Sequence, residues 1–163
     1  MPTPGNITAF PALGKKTSVF HNILTVCTGN ICRSPVAEYL LRHEIALAGR
    51  KADVRSAGIG ALVDHPADDT ALLVMDELGV PMQAHRARQI KVEHTRWADL
   101  ILVMQSHHLE YVLSLDPTAR GKTFLMGRWN KREIPDPYRQ GDASHRAAYA
   151  LIHADAAAWL ARF

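Results

Sequence analysis

The sequence predicts a three-layer α/β fold, with a central four-stranded parallel sheet that helices cover on both faces. Short apolar runs rich in β-branched residues alternate along the chain with longer amphipathic runs, and this indicates alternating strands and helices. Strands joined by helices have right-handed crossovers and form a parallel sheet. The length of 163 residues suits one domain, and a hydrophobic content of 47% is sufficient for a core.

The four predicted strands are short and apolar. In chain order they are expected over residues 23–26, 53–57, 100–104 and around 124–126. The first ends at Cys27, and the third is the clearest because all five of its residues are apolar. Ligands of parallel α/β sheets bind at the carboxyl ends of the strands. The position of Cys27 therefore makes it a candidate functional residue.

Four amphipathic segments between and after these strands are predicted to be helices. Their expected ranges are 34 to about 49, 66–78, 106–115 and 144–161. The first begins at Ser34-Pro35, because proline suits the first turn of a helix, and it ends near Gly49.

Residues 1–20 are predicted to form a flexible N-terminal extension, and residues 21–163 to form the domain. Residues 1–14 contain no charged side chain, and Lys15 and Lys16 follow this segment where a secretory signal would need them in front. No segment approaches the roughly 18 apolar residues of a membrane span. We therefore expect a cytoplasmic protein without membrane insertion, and no catalytic residue in the extension.

Charge and cysteine content exclude several classes of protein. The net charge of +3 permits an anionic ligand but is too weak to indicate nucleic-acid binding. Two cysteines, Cys27 and Cys32, are too few for a disulfide scaffold or a zinc ribbon. No pair among the nine histidines has convincing ligand spacing, so no metal is expected.

The segment 27–34, which we call the phosphate loop, joins the first strand to the first helix. A loop of this length at a helix N-terminus can direct successive backbone N–H groups at one anion. Gly29 permits a turn closed to other residues, and Asn30 tolerates the left-handed region. Arg33 offers a fork of donors to phosphate oxygens. The helix terminus and the Ser34 hydroxyl favour the Cys27 thiolate, which would lie beneath the phosphorus atom. A lone cysteine is more often a buried hydrophobe, but the residues around this one favour the phosphate site.

The segment Val26–Glu38, VCTGNICRSPVAE, resembles the signature of the low-molecular-weight protein tyrosine phosphatase family at nearly every position. The resemblance extends from about Asn22 to the C-terminus and includes 56–58, 85–89 and 136–138. Segments 127–129 and 133–139 resemble most closely the bacterial branch linked to exopolysaccharide export. The resemblance implies a Rossmann-like fold and hydrolysis of phosphotyrosine without metal or cofactor.

The resemblance also implies roles for individual residues. Cys27 is the nucleophile, Arg33 holds the phosphate and Asp136 is the general acid. Asn30, Ser56 and His85 form a hydrogen-bond network that supports the loop. The residues expected to bind substrate or phosphate are Thr28, Gly29, Asn30, Ile31, Cys32, Ser34 and Tyr138, of which Tyr138 flanks the phenyl ring.

Cys32 has two interpretations. It is either a buried structural thiol, or the thiol that captures an oxidised Cys27 as a reversible disulfide and prevents over-oxidation. His145 stands where the family usually has phenylalanine, and this predicts looser packing of the last helix without altered chemistry.

Two other functions remain as alternatives to the phosphatase. Thiol-dependent arsenate reduction uses a similar loop but requires further cysteines, and none follows Cys32. A catalytically silent phosphate-binding module would be expected to lose Cys27 or Asp136. The branch resemblance implies that the substrate is a bacterial tyrosine autokinase, and we expect a monomer or weak self-association.

Overall fold

Four parallel strands form the central sheet in the spatial order β2-β1-β3-β4. The strands are β1 (Asn22–Cys27), β2 (Asp53–Gly58), β3 (Leu100–Val103) and β4 (Thr123–Leu125). β1 lies between β2 and β3 and pairs with both, and β4 pairs with β3. The computed structural model describes residues 19–163. The predicted strands are confirmed to within one or two residues at each end.

Within residues 19–163, five α-helices accompany the strands: α1 (Arg33–Leu47), α2 (Asp69–Glu77), α3 (Val92–Trp97), α4 (Ser106–Leu115) and α5 (Asp142–Leu160). Two 3-10 helices cover Pro117–Lys122 and Arg128–Asn130. The range of α4 agrees with the prediction.

Two helices differ from the sequence prediction. α2 begins three residues later than expected because the Asp68 carboxylate accepts the backbone N–H groups of Thr70 and Ala71 at its start. α3 was not predicted, since six residues are too few to establish a helical period. It begins where the backbone N–H of Lys91 donates to His94 Nδ1 at 2.9 Å.

Successive residues along a strand belong to two different apolar clusters. Ile23 and Leu100 belong to a cluster with residues of α1, α2 and α5. Leu24 and Ile101 belong to a second cluster, which includes residues of α4. Because strand side chains alternate between faces, the sheet is covered on both sides. The predicted three-layer α/β fold is confirmed.

The predicted N-terminal extension falls almost wholly outside the described residues. Phe20, which the prediction assigned to it, packs edge-on against Phe163 with ring centroids 5.4 Å apart. The packed domain therefore begins by residue 20. Within residues 19–163, no helix is long and apolar enough to cross a membrane.

Gly58 brings the end of β2 against the phosphate loop. A Cβ atom at this position would collide with the carbonyl oxygen of Thr28 and would lie 3.0 Å from the backbone nitrogen of Asn30. Only glycine allows the two segments to approach this closely. The sheet and the loop are thereby held in one arrangement at the carboxyl ends of the strands.

Candidate active site

The phosphate loop leaves β1 at Cys27 and enters α1 at Arg33. Within the described part of the chain, the backbone N–H groups of residues 29–32 have no hydrogen-bond acceptor. The N-cap residue of α1, Cys32, makes no capping bond with its side chain. Unpaired amides at a helix N-terminus attract anions. The loop therefore offers a site for a phosphate group directly above Cys27.

The Cys27 sulfur has a hydroxyl donor that other hydrogen bonds orient. Cys27 Sγ lies 2.8 Å from Ser34 Oγ. Asn30 Nδ2 donates to the same Ser34 oxygen at 2.8 Å. The Ser34 hydroxyl proton has two possible acceptors, the Cys27 sulfur at 2.8 Å and the Ala57 carbonyl at 3.5 Å, and the sulfur is the nearer. The Ser34 hydroxyl is thus in position to donate a hydrogen bond to the Cys27 sulfur.

Asn30 is fully buried and is the residue of the loop with a left-handed backbone, at φ +57°. Its Nδ2 also donates to Ser56 Oγ at 2.9 Å, and its Oδ1 accepts the backbone N–H of Arg88 at 2.9 Å. The Asn30 carbonyl accepts from His85 Nε2 at 2.7 Å. Burial lowers the pKa of His85, so this imidazole is neutral and its Nε2 carries the proton. The structure thus brings together Asn30, Ser56 and His85, the three residues for which the resemblance implies a hydrogen-bond network.

Arg33 is buried, and one end of its guanidinium is fixed by two acceptors. Nη1 donates to Gln105 Oε1 at 2.6 Å and to the carbonyl of Ile134 at 2.8 Å. Nη2 lies 3.7 Å from Asp136 Oδ2. Sequence reasoning missed both anchors. Gln105 follows β3 at the carboxyl edge of the sheet, and this position could have indicated a role in the site. The contact with Ile134 uses a backbone carbonyl, which every residue has, so the sequence could not have indicated it.

Asp136 lies across the cavity from the phosphate loop, although 109 positions separate it from Cys27 in sequence. Its Oδ1 accepts the backbone N–H of Tyr138 at 3.0 Å, and its side chain is about half exposed. An exposed carboxyl group can exchange protons with water and with a bound ligand. The cavity is lined by Cys27, Thr28, Gly29, Ile31, Cys32, Arg33, Gly60, Leu62, Asp136 and Tyr138.

Glu38 ends the hydrogen-bond network of the loop, and sequence analysis assigned it no role. Ser56 Oγ donates to Glu38 Oε1 at 2.6 Å, and Arg42 pairs with the other carboxylate oxygen at 2.5 Å. Glu38 is the last residue of the recognised signature, so its place in that motif was a signal for a supporting role.

His108 contacts the loop from the first turn of α4. Its Nδ1 accepts the backbone N–H of Gln105 at 3.0 Å, so Nε2 carries the proton and donates to Thr28 Oγ1 at 2.9 Å. Burial, together with the positive charge of Arg33, lowers the pKa of His108 to about 3. The sequence analysis assigned His108 no role in the site.

Two local expectations are wrong. The φ of Gly29 lies outside the left-handed region, and a Cβ atom there would make an ordinary 3.6 Å contact with Ile31 Cγ1. The conformation that excludes most residues falls on Asn30. His145 does not loosen α5, because it is buried and its Nδ1 lies 2.8 Å from the Tyr149 hydroxyl.

Cys32 and Cys27 are both buried and free. Burial raises the pKa of the Cys32 thiol, and the carboxylate of Asp68 adds to this effect. Cys32 is therefore protonated at neutral pH.

Comparisons with known proteins agree with the geometry of the site. A sequence profile of the low molecular weight phosphotyrosine protein phosphatases matches residues 22–163. The low molecular weight protein-tyrosine-phosphatase Etp of Escherichia coli K12 is 45% identical over 88% of this chain and 95% of its own length. For Wzb of the same organism the identity is 46%, over 86% and 94%. The crystal structure of the Erwinia amylovora tyrosine phosphatase AmsI superposes with a TM-score of 0.84 and 39% identity, covering 90% of this chain and 95% of that one. The chain belongs to the low molecular weight phosphotyrosine protein phosphatase family.

Proposed function

We propose that the protein hydrolyses phosphotyrosine through a cysteinyl-phosphate intermediate on Cys27. The observation that carries this proposal is the convergence of unpaired loop amides, an oriented hydroxyl and the fixed guanidinium of Arg33 around one sulfur atom. Such preorganised donors stabilise charge that develops on a transferring phosphoryl group, because they need not reorganise during the reaction.

The first half-reaction transfers the phosphoryl group to the enzyme. Cys27 Sγ attacks phosphorus in line with the tyrosyl oxygen, a P–S bond forms and the P–O bond to tyrosine breaks. Protonated Asp136 gives its proton to the departing phenolate oxygen. Arg33 and the loop amides bind the equatorial oxygens of the phosphoryl group.

The second half-reaction releases phosphate. The Asp136 carboxylate takes a proton from a water molecule, whose oxygen attacks phosphorus as the P–S bond breaks. Inorganic phosphate leaves and the Cys27 thiolate is restored. Leu62 and Tyr138, which line the cavity above the loop, are suited to contact the two faces of the phenyl ring.

Two substrates with different leaving groups test this mechanism. Cys27→Ser should abolish turnover of p-nitrophenyl phosphate. Asp136→Ala should slow hydrolysis of phenyl phosphate more than that of p-nitrophenyl phosphate, because the less acidic phenol needs its proton more. Asp69→Ala, at an exposed carboxylate in the first turn of α2, is the matched control. Full turnover by Cys27→Ser, or equal slowing of both substrates by Asp136→Ala, contradicts the assignment.

We further propose that the physiological substrate is a bacterial tyrosine autokinase of exopolysaccharide production, and that the enzyme acts in the cytoplasm. Support comes from the resemblance of segments 127–129 and 133–139 to the branch linked to exopolysaccharide export. A phosphorylated cytoplasmic kinase domain with a tyrosine cluster should lose phosphate faster than phosphoserine or phosphothreonine peptides of equal charge. Equal rates on all three would refute this substrate class.

Cys32 is proposed to protect Cys27 from over-oxidation. Peroxide oxidises the Cys27 thiolate to a sulfenic acid, the Cys32 sulfur then attacks that sulfur, and water leaves as the disulfide forms. A dithiol reduces the disulfide and restores activity. Cys32→Ser should be inactivated by peroxide to the same extent as the wild type but should recover less. Equal recovery would leave Cys32 as a buried structural thiol.

A further inference from the structure

Three potential metal ligands from separate segments meet beside the phosphate loop. Cys32 is the N-cap residue of α1, Asp68 is the N-cap residue of α2, and His145 lies near the start of α5. Their ligand atoms all lie within 4.8 Å of one another. His145 Nδ1 and Asp68 Oδ2 are 3.7 Å apart. Because 36 and 77 positions separate these residues in sequence, no local spacing reveals the cluster.

We propose that Cys32, Asp68 and His145 form a binding site for Zn²⁺. Thiolate, imidazole and carboxylate are the ligand types that zinc prefers in proteins, and three protein ligands leave a fourth position for water. Bond lengths of roughly 2.0–2.3 Å in a tetrahedron place neighbouring ligand atoms roughly 3.3–3.6 Å apart. The 3.7 Å between Nδ1 and Oδ2 shows that the imidazole and the carboxylate group are neighbours. The ligand atoms of the three residues lie within 4.8 Å of one another, so the side chains need only a modest movement for Oδ1 to reach the ion.

The surroundings of the cluster allow each ligand to reach a cation. Asp68 Oδ2 accepts the N–H groups of Thr70 and Ala71, and Oδ1 has no such partner among the described residues. Oδ1 can therefore bind the ion while Oδ2 keeps its role at the start of α2. His145 Nδ1 exchanges its hydrogen bond with the Tyr149 hydroxyl for the metal. Cys32 releases its thiol proton to water as the sulfur–metal bond forms.

The three ligands differ in their exposure to solvent. Cys32 and His145 are buried, whereas 23% of the Asp68 side chain is exposed. The carboxylate is thus the ligand that solvent reaches, whereas the two softer ligands are buried. A histidine replaces the phenylalanine expected from the family resemblance, and it supplies the one nitrogen ligand of the cluster.

Metal binding at this site has a consequence for the redox role of Cys32, which rests on the proposed function. A Cys32 thiolate bound to zinc cannot attack a sulfenic acid on Cys27. Zinc should therefore suppress the Cys27–Cys32 disulfide that peroxide otherwise produces. Binding of the ion itself does not depend on that role, so the two are tested separately.

The binding test uses Co²⁺ and Zn²⁺ alone as probes of the full chain. Co²⁺ should bind with one equivalent and give a thiolate-to-metal charge-transfer band, which is lost in Cys32→Ser and kept in Cys27→Ser. Zn²⁺ affinity, measured by competition with a chromophoric chelator, should fall at least tenfold in His145→Gln and Asp68→Asn. Asparagine is as good an N-cap residue as aspartate, so the second variant keeps α2 intact.

Two matched controls isolate the site. His153→Gln removes an exposed histidine of the same helix and should leave Zn²⁺ affinity unchanged. His145→Gln should retain p-nitrophenyl phosphate turnover without metal, which shows that the variant is folded; if it does not, Asp68→Asn carries the test. A band that survives Cys32→Ser but disappears in Cys27→Ser would place the metal on the nucleophile. That result, or undiminished affinity in Asp68→Asn, overturns the proposal.

Discussion

His108 makes folding stability depend on pH in a way that one substitution can isolate. The native imidazole is fully buried, and its pKa is lowered to about 3 by burial and by Arg33. An unfolded histidine has a pKa of about 6.5. In the window between these values the unfolded chain binds a proton that the native protein does not, so the native state loses stability as pH falls. Above the unfolded value the contribution of His108 to stability is complete.

The two pKa values set the size of the effect. At pH 5 the unfolded state gains about 2 kcal/mol from protonation of this one histidine, and the native state gains almost nothing. His108→Gln removes the titrating group, and the amide nitrogen of glutamine can still donate towards Thr28 Oγ1. The free energy of unfolding of the wild type should therefore fall between pH 7.5 and pH 5 by about 2 kcal/mol more than that of His108→Gln.

Urea denaturation at the two pH values measures this difference directly. Other buried groups, including His85, contribute equally to both proteins and cancel in the comparison. His107→Gln, at the adjacent and exposed position, serves as the control and should retain the wild-type dependence on pH. Parallel curves for wild type and His108→Gln would refute the argument that a neutral His108 is built into the native state.

The remaining predictions concern groups that support the site. Gln105→Ala removes an acceptor of Arg33 Nη1. The variant should be inhibited by inorganic phosphate about tenfold more weakly, because a hydrogen bond to a charged group contributes about 1.5–3 kcal/mol. Unchanged inhibition would mean that the Ile134 carbonyl alone fixes the guanidinium. Gly58→Ala should destabilise the protein by about 1–3 kcal/mol in urea denaturation because its methyl group collides with the loop, whereas Gly121→Ala, at an open position, should not. Ser34→Ala should lower the rate of phosphoenzyme formation in rapid quench by about tenfold or more. Ser56→Ala, two hydrogen bonds further from the sulfur, should lower it less, and the reverse order would contradict the direction of the hydrogen-bond chain.

The sequence predicts those parts of the fold and site that depend on neighbours along the chain. Strand and helix alternation is a local property, so the sheet and four of the helices could be predicted. Cys27, Ser34 and Arg33 belong to one short segment, and their relation is visible in its pattern. α3 could not be predicted, because six residues are too few to show the helical period of apolar positions. Its start depends on a local hydrogen bond between Lys91 and His94.

The supporting residues could not be predicted because they depend on how distant segments meet. Gln105 reaches Arg33 only because β3 pairs with β1 in a particular register, and His108 reaches Thr28 for the same reason. A sequence shows that these side chains are polar, but not which loop they face. The same limitation applies to His145, because its neighbours Cys32 and Asp68 lie at the starts of two other helices.

A directional chain of hydrogen bonds links the nucleophile to a buried carboxylate. Ser56 donates to Glu38, and Asn30 donates to both Ser56 and Ser34. The Ser34 proton can then be donated to the Cys27 sulfur, which at 2.8 Å is nearer than its other acceptor, the Ala57 carbonyl at 3.5 Å. Both hydrogens of the Asn30 amide are used, so neither serine can reverse its direction without losing a bond. An acceptor at each end, the Glu38 carboxyl group or the Cys27 sulfur, fits this polarity. The left-handed backbone of Asn30 costs about 1 kcal/mol or more, and the fixed donor direction explains why the loop tolerates that strain: a side chain at any other angle could not orient both hydroxyls.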